Sequence, residues 1–157
     1  MKAATVQEIK QELHTVNEKR LTEICIQLAR FKKENKELLT YLLFEAHNEE
    51  GYIAEVKDMI GEEFDELSAT TNLYFAKKTI RKILRIAQKH IRYTGSKQAE
   101  AAILLHFCAT LRQHGIPFEK STALANLYQQ QIKKINLAIN TLHEDLQYDF
   151  RRELELL

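Results

Sequence analysis

The sequence predicts an all-α protein, and three observations carry that prediction. Leu, Ile, Ala, Glu, Lys and Gln dominate the chain, and the unbranched side chains among them lose little rotamer freedom in a helix. Four glycines and one proline in 157 residues leave few turns. Apolar residues recur at spacings of three and four, with no strand-like alternation anywhere. Hydrophobic residues make up 45% of the chain, enough for a core, which argues against disorder. The length fits one domain, residues 1–157, able to bury roughly 70% of its unfolded surface. The expectation is about six to eight antiparallel helices, in a compact bundle or a short α–α superhelix.

Each element has a local reason. Thr5-Val6-Gln7-Glu8 has the form of a capping box, in which Thr5 and Glu8 satisfy each other's orphan amides. The short helix it opens is expected to end near Val16. Asn17 caps a second helix, on which Leu21, Ile24, Cys25, Leu28 and Phe31 recur at helical spacing. A polar corner at Lys32-Lys33-Glu34-Asn35-Lys36 leads to a third helix, about 34–47, with Leu38, Leu39, Leu42 and Leu43 inside. Asn48 starts a helix that runs to about Leu67 on Ile53, Val56, Ile60 and Phe64. Ser68-Ala69-Thr70-Thr71 supplies loop and cap residues before a helix over about 72–93.

Gly95 then stops one helix and Ser96 starts the next. That helix carries Ile103, Leu104, Phe107, Cys108 and Leu111 and ends at Gly115-Ile116-Pro117. From Ser121 a last long run places Tyr128, Ile132, Ile135, Ile139, Leu142 and Leu146 on a heptad seam. The seam reads first as core packing, and Asn140 marks a place where it can break.

Residues Leu21 to Ala46, two apolar runs joined by the polar corner, resemble one helix pair of the HEAT or armadillo type. The whole chain is similar to small all-helical proteins that have no assigned activity. No functional motif comes with either resemblance, so what they imply is the fold alone.

No stretch approaches the roughly 20 apolar residues that cross a bilayer, and Met1-Lys2-Ala3-Ala4-Thr5 lacks the apolar core of a signal peptide. Cys25 and Cys108 sit far apart in apolar helical runs and read as buried free thiols. A cytoplasmic protein is expected.

Catalytic and metal signatures are missing from the sequence. It has no Gly-rich phosphate loop, no Cys-x-x-Cys and no His-Glu-x-x-His. No histidine has a glutamate three positions before it, as a di-iron bundle would use. His47 with Glu50, and His14 with Glu18, read as ordinary solvated pairs. His106 reads as a hydrogen-bonded boundary histidine, and His90 as a residue at the edge of an apolar face. His106 and Cys108 are two apart on a helix and point away from each other. Thr94-Gly95-Ser96-Lys97 has the form of a phosphate-holding helix start, but capping explains the same residues. The reading is a non-enzymatic protein with no catalytic residue, no cofactor and no metal.

What remains is charge. Residues 45–66 hold nine acids and one lysine, and residues 67–99 hold eight bases and no acid, inside a chain of net charge +1. Two consecutive helices of opposite sign form an antiparallel hairpin whose charges can neutralise each other, and reflection about residue 70 places Glu63 near Lys77. A helical wheel limits that neutralisation. Lys78, Arg81, Lys82, Arg85, Lys89 and Arg92 cluster about 160° from the apolar face of the basic helix. Glu55, Asp58, Glu62, Asp65 and Glu66 lie about 140° from the apolar face of the acidic one. The main stripes are therefore expected to point outward and not to pair.

An outward basic stripe with Tyr74 on the same face attracts an acidic surface. The first reading is a helical interaction or scaffold protein that binds another protein, or another copy of itself, through charged helix faces. The alternative is nucleic-acid binding along the basic stripe of the helix at about 72–93.

Overall fold

A computed structural model describes residues 1–67 and 72–157. The expected loop and cap residues Ser68, Ala69, Thr70 and Thr71 lie outside them. Among the described residues the chain is all-helical, with eight α-helices and no strand. They are α1 (Val6–Leu13), α2 (Glu18–Phe31), α3 (Lys33–Thr40), α4 (Glu49–Asp65), α5 (Leu73–Thr94), α6 (Lys97–Gln113), α7 (Thr122–Ile139) and α8 (Glu144–Glu155). Their residues fall into two compact units, 1–44 and 45–157.

The helix starts follow local chemistry. Thr5 and Glu8 form the reciprocal capping box: Glu8 N–H donates to Thr5 Oγ1 at 3.3 Å, and Thr5 N–H donates to Glu8 Oε2 at 2.7 Å. These bonds to Thr5 hold the Glu8 carboxyl below its ordinary range. Asn17, Asn48, Asn72, Ser96 and Ser121 each accept a backbone N–H at the start of α2, α4, α5, α6 and α7. Gly95 (φ 60°) and Gly115 (φ 66°) take the left-handed conformation just after α5 and α6, where a Cβ would be strained.

In the first unit α2 packs against α3, and Asn35 Nδ2 donates to Leu28 O at 2.9 Å across their corner. One π-helical turn, Tyr41–Glu45, follows α3. Tyr41 is the one buried residue of positions 1–44. This corrects the expectation for Leu38, Leu39, Leu42 and Leu43: Leu39 is partly covered, while Leu38, Leu42 and Leu43 are exposed. Their spacing defines an apolar face on the helix, but no element of the unit is left to cover it. The π turn also adds a residue to the last turn, which rotates Leu43 off the 3.6-residue stripe.

The second unit is built on α6, which touches α4, α5, α7 and α8. Ala99, Ala101, Ala102, Ile103, Leu104, Leu105, Phe107, Cys108 and Leu111 are all buried, so α6 is apolar around nearly its whole circumference. Helix α4 meets it through Phe64, whose ring centroid lies 5.6 Å from that of Phe107. The heptad seam divides as its Asn140 break allows. Tyr128, Ile135 and Ile139 are buried on α7, which Asn140 ends, and Leu146 lies on the separate helix α8.

Candidate functional site

Helices α4 and α5 are antiparallel, as the crossed pairs Tyr52–His90 and Glu63–Lys82 show. Helix α5 buries Ala76, Ile80, Ile83, Leu84 and Ala87, and the opposite side carries the basic residues. Lys78, Arg81, Lys82, Arg85 and Arg92 are exposed, and Lys89 is partly buried. On α4, Glu55, Asp58, Glu62, Asp65 and Glu66 are all exposed. The two charged faces are thus presented to solvent.

The expectation that the stripes stay apart fails at one position, Lys82. Lys82 Nζ donates to Glu63 Oε2 at 2.8 Å, so Glu63 takes Lys82 and not Lys77. Tyr52 opposite His90 sets the antiparallel reflection near residue 71, which puts Glu63 opposite position 79. Of the bases on either side of it, Lys82 lies on the α4 shoulder of α5 whereas Lys77 lies on the other. The four-carbon lysine stem then spans the remaining gap. The hydrogen bond to Glu63, and then the Glu63 charge, raise the Lys82 ammonium above its ordinary value. On α4, Asp65 Oδ1 lies 3.2 Å from His114 Nε2, which ties one member of the acidic face to the end of α6.

The Glu63 pair divides the basic stripe. At about 100° per residue, Lys82 leans toward α4, whereas Lys77, Arg81, Leu84 and Gln88 lean the other way. On that far flank lies an open groove of about 570 Å³, lined among the described residues by Tyr74, Lys77, Lys78, Arg81, Leu84, Arg85 and Gln88. Buried Leu84 forms its floor, and Tyr74, 72% exposed, stands at its N-terminal end against the edge of Phe75. Lys77, Lys78, Arg81 and Arg85 make no ion pair among the described residues. Their charges are therefore available to a ligand.

The structure brings Lys78, Arg81 and Arg85 of the predicted stripe into this groove and leaves Lys82, Lys89 and Arg92 outside its lining. Lys77, Leu84 and Gln88 were missed as lining residues. The spacing 77, 81, 84, 88 is the only sign of them, and it marks one shoulder of the stripe rather than its centre.

The remaining candidates have structural partners. Ser96 Oγ accepts from Ala99 N–H at 3.2 Å, and Lys97 Nζ pairs with Glu100 at 2.6 Å, so the Thr94–Lys97 segment is a helix cap. The Tyr52 hydroxyl lies 2.6 Å from His90 Nδ1. His106 borders a groove of about 320 Å³ with Lys57, Arg112, Gln113 and Glu153. Burial lowers its imidazole pKa first, and the Lys57 charge adds to this, while a hydrogen bond to the Lys57 backbone opposes them. Cys25 and Cys108 are free thiols, and burial pushes Cys108 up to about 12. No group of three or more His, Cys, Asp or Glu able to hold a metal occurs among the described residues. No helix among them is long and apolar enough to cross a membrane.

Comparison of the chain with protein-family models, with curated proteins and with solved structures finds no match.

Proposed function

We propose that this chain is a non-enzymatic interaction protein whose α5 groove receives an acidic segment of a partner protein. The observation that carries the reading is the groove itself: four cations without an ion pair among the described residues, an apolar floor at Leu84, an aromatic end at Tyr74 and an amide at Gln88. Positions 74 to 88 span about 21 Å of helix rise, the length of an acidic peptide of some four helical turns. Such a peptide gains charge-assisted hydrogen bonds from Arg81 and Arg85, whose planar forks match carboxylates. One apolar side chain on Leu84 would fix its register. The acidic face of α4 lies across the Lys82–Glu63 pair and repels a ligand that strays over the ridge. A cytoplasmic location belongs to this reading and is supported by the two unpaired cysteines. Recovery of the protein outside the cytosol on cell fractionation would remove that part.

Fluorescence anisotropy with a labelled acidic amphipathic peptide tests the proposal, using the full chain and an Arg81→Glu/Arg85→Glu variant. Binding that weakens with salt, and at least about tenfold in the variant, supports it. Equal binding by both proteins, or none by either, sinks it. Mixed RNA and duplex DNA form the second arm. If they bind through the same residues and the acidic peptide does not, the nucleic-acid reading replaces this one.

A further inference from the structure

We propose that the acidic segment received by α5 is helix α4 of a second copy of this chain, in a twofold dimer that stacks one α4–α5 hairpin on the other. This dimer rests on the reading of α5 as the acceptor of an acidic segment, and it names where that segment comes from.

The two faces match in spacing. On α4, Asp58, Glu62 and Asp65 step by four residues and then three. On α5, read in the opposite direction, Arg85, Arg81 and Lys78 also step by four and then three. The separations along both axes are therefore the same, about 6 Å and about 4.5 Å. At about 100° per residue, each set of three falls within about 60° on one side of its helix. Every member lies at least about 100° around from the buried Ile60 or Ile80 of its own helix. All six side chains are exposed.

The hairpin's own register brings the two sets to the same height. Asp58 with Arg85, Glu62 with Arg81 and Asp65 with Lys78 all reflect about one point, roughly between residues 71 and 72. The Tyr52–His90 contact sets the reflection at about 71, and the Lys82–Glu63 bond sets it at about 72 to 73. The members of each pair thus stand level to within about one residue, or ~1.5 Å. Inside one chain they sit side by side with both facing outward, so they do not meet. A twofold axis parallel to the hairpin keeps every residue at its own height and exchanges α4 for α5. Each set then faces its opposite on the other copy, and every contact is made twice.

The signs select a second copy as the occupant. Residues 45–66 hold nine acids and one lysine, and residues 67–99 hold eight bases and no acid. A separate acidic partner covers α5 alone and leaves the acidic face of α4 bare, whereas a second copy covers both faces with opposite charge. At a net charge of +1 apiece, two copies do not repel each other at a distance. Asp58, Glu62, Arg81 and Arg85 make no ion pair among the described residues, so no bond inside the chain has to break. Asp65 is already held by His114, so Lys78 gains less from it.

Sedimentation equilibrium of the full chain tests this over roughly 1 to 100 μM, at about 0.05 and 0.5 M salt. At low salt and the upper concentrations the expected mass is twice the 18.4 kDa of the chain, and at high salt it falls to 18.4 kDa. Arg81→Glu with Arg85→Glu, and separately Asp58→Lys with Glu62→Lys, should each give a monomer at low salt. An equimolar mixture of these two variants should recover the doubled mass, because one contact keeps its signs and the other has both reversed. All four substitutions in one chain should recover it as well. Circular dichroism checks that each variant keeps its helix content. Arg81→Gln with Arg85→Gln, which removes charge without reversing it, should weaken association at least about tenfold. A monomer at both salt concentrations, or a dimer that persists in salt, overturns the proposal. So does a pair of variants that stays monomeric when mixed. A mass that climbs past the dimer means open head-to-tail chains and equally overturns it. The labelled acidic peptide, titrated against the same proteins, keeps the two readings apart. A monomer that binds the peptide through Arg81 and Arg85 removes the second copy alone, whereas a chain that neither dimerises nor binds the peptide removes both.

Discussion

Glu63 Oε2 accepts a hydrogen bond from Lys82 Nζ at 2.8 Å, joining the middle of α5 to the last turn of α4. The pair settles which bases of α5 are free. Lys82 is committed to its neighbour and carries little net charge toward a ligand. Arg81 and Arg85, one and three positions away along the chain, point to the opposite shoulder and line the groove.

This division predicts unequal effects from equal charge removal. Lys82→Ala should leave affinity for an acidic peptide within about twofold of the parent, because an exposed ion pair contributes little and its loss also frees Glu63 to solvent. Arg81→Ala should weaken the same complex by about fivefold to tenfold, since the guanidinium gives two directed bonds to a carboxylate. Anisotropy titrations of the two variants side by side decide the matter. Equal losses from both would mean that the ligand reads total charge and not the groove.

Much of the fold was legible because helix ends are governed by local chemistry. Thr5 with Glu8, Asn17, Asn48, Ser96 and Ser121 act as caps through bonds that reach three residues along the chain, and Gly95 acts through its own φ. The buried faces of α4 and α5 were legible for a similar reason, since periodicity places Ile60 and Ile80 on one side of their helices. Periodicity does not say whether a partner exists for that side. Leu42 and Leu43 show the gap: the same pattern that buries Ile60 leaves them exposed, because the first unit has too few helices to cover them.

The site was legible in part for a related reason. A wheel gives the direction of Lys78, Arg81 and Arg85 from sequence. Which shoulder of the stripe becomes a groove depends on where α4 lies, and that is a tertiary fact. Lys82 changed its role through a reach of one turn across two helices, which no spacing along a single helix encodes.

Phe107 tests the part of the fold that sequence did fix. Its ring is fully buried on α6 against Phe64, at the helix that four others share. Phe107→Ala should destabilise the second unit by about 3–5 kcal/mol through lost burial and the cavity left behind. Urea unfolding followed by circular dichroism measures it. A loss below about 1 kcal/mol would mean that α6 is not the centre of this core.

His106 gives a pH dependence whose sign follows from its surroundings. Burial on α6, and then the Lys57 charge, favour the neutral ring and lower its pKa from the ordinary imidazole value. Weaker opposing pulls come from a hydrogen bond to the Lys57 backbone and from the Asp58 charge. The unfolded chain therefore binds this proton more readily than the folded one. The contribution of His106 is fully present above about pH 6.5, the unfolded value, and is lost as pH falls from there toward the lowered folded value. Below that value both states are protonated, and the contribution no longer changes. His106→Gln keeps a hydrogen-bonding side chain of similar reach and removes the titration. Urea midpoints taken from pH 8 down to pH 5 should fall more steeply in the parent than in the variant, with the two curves converging in slope at either end. Arg112 and Glu153 border the same groove in both proteins, so their own effects cancel in the difference. Parallel curves across the whole range would show that the ring is solvated and that the boundary position assigned to His106 on α6 is wrong.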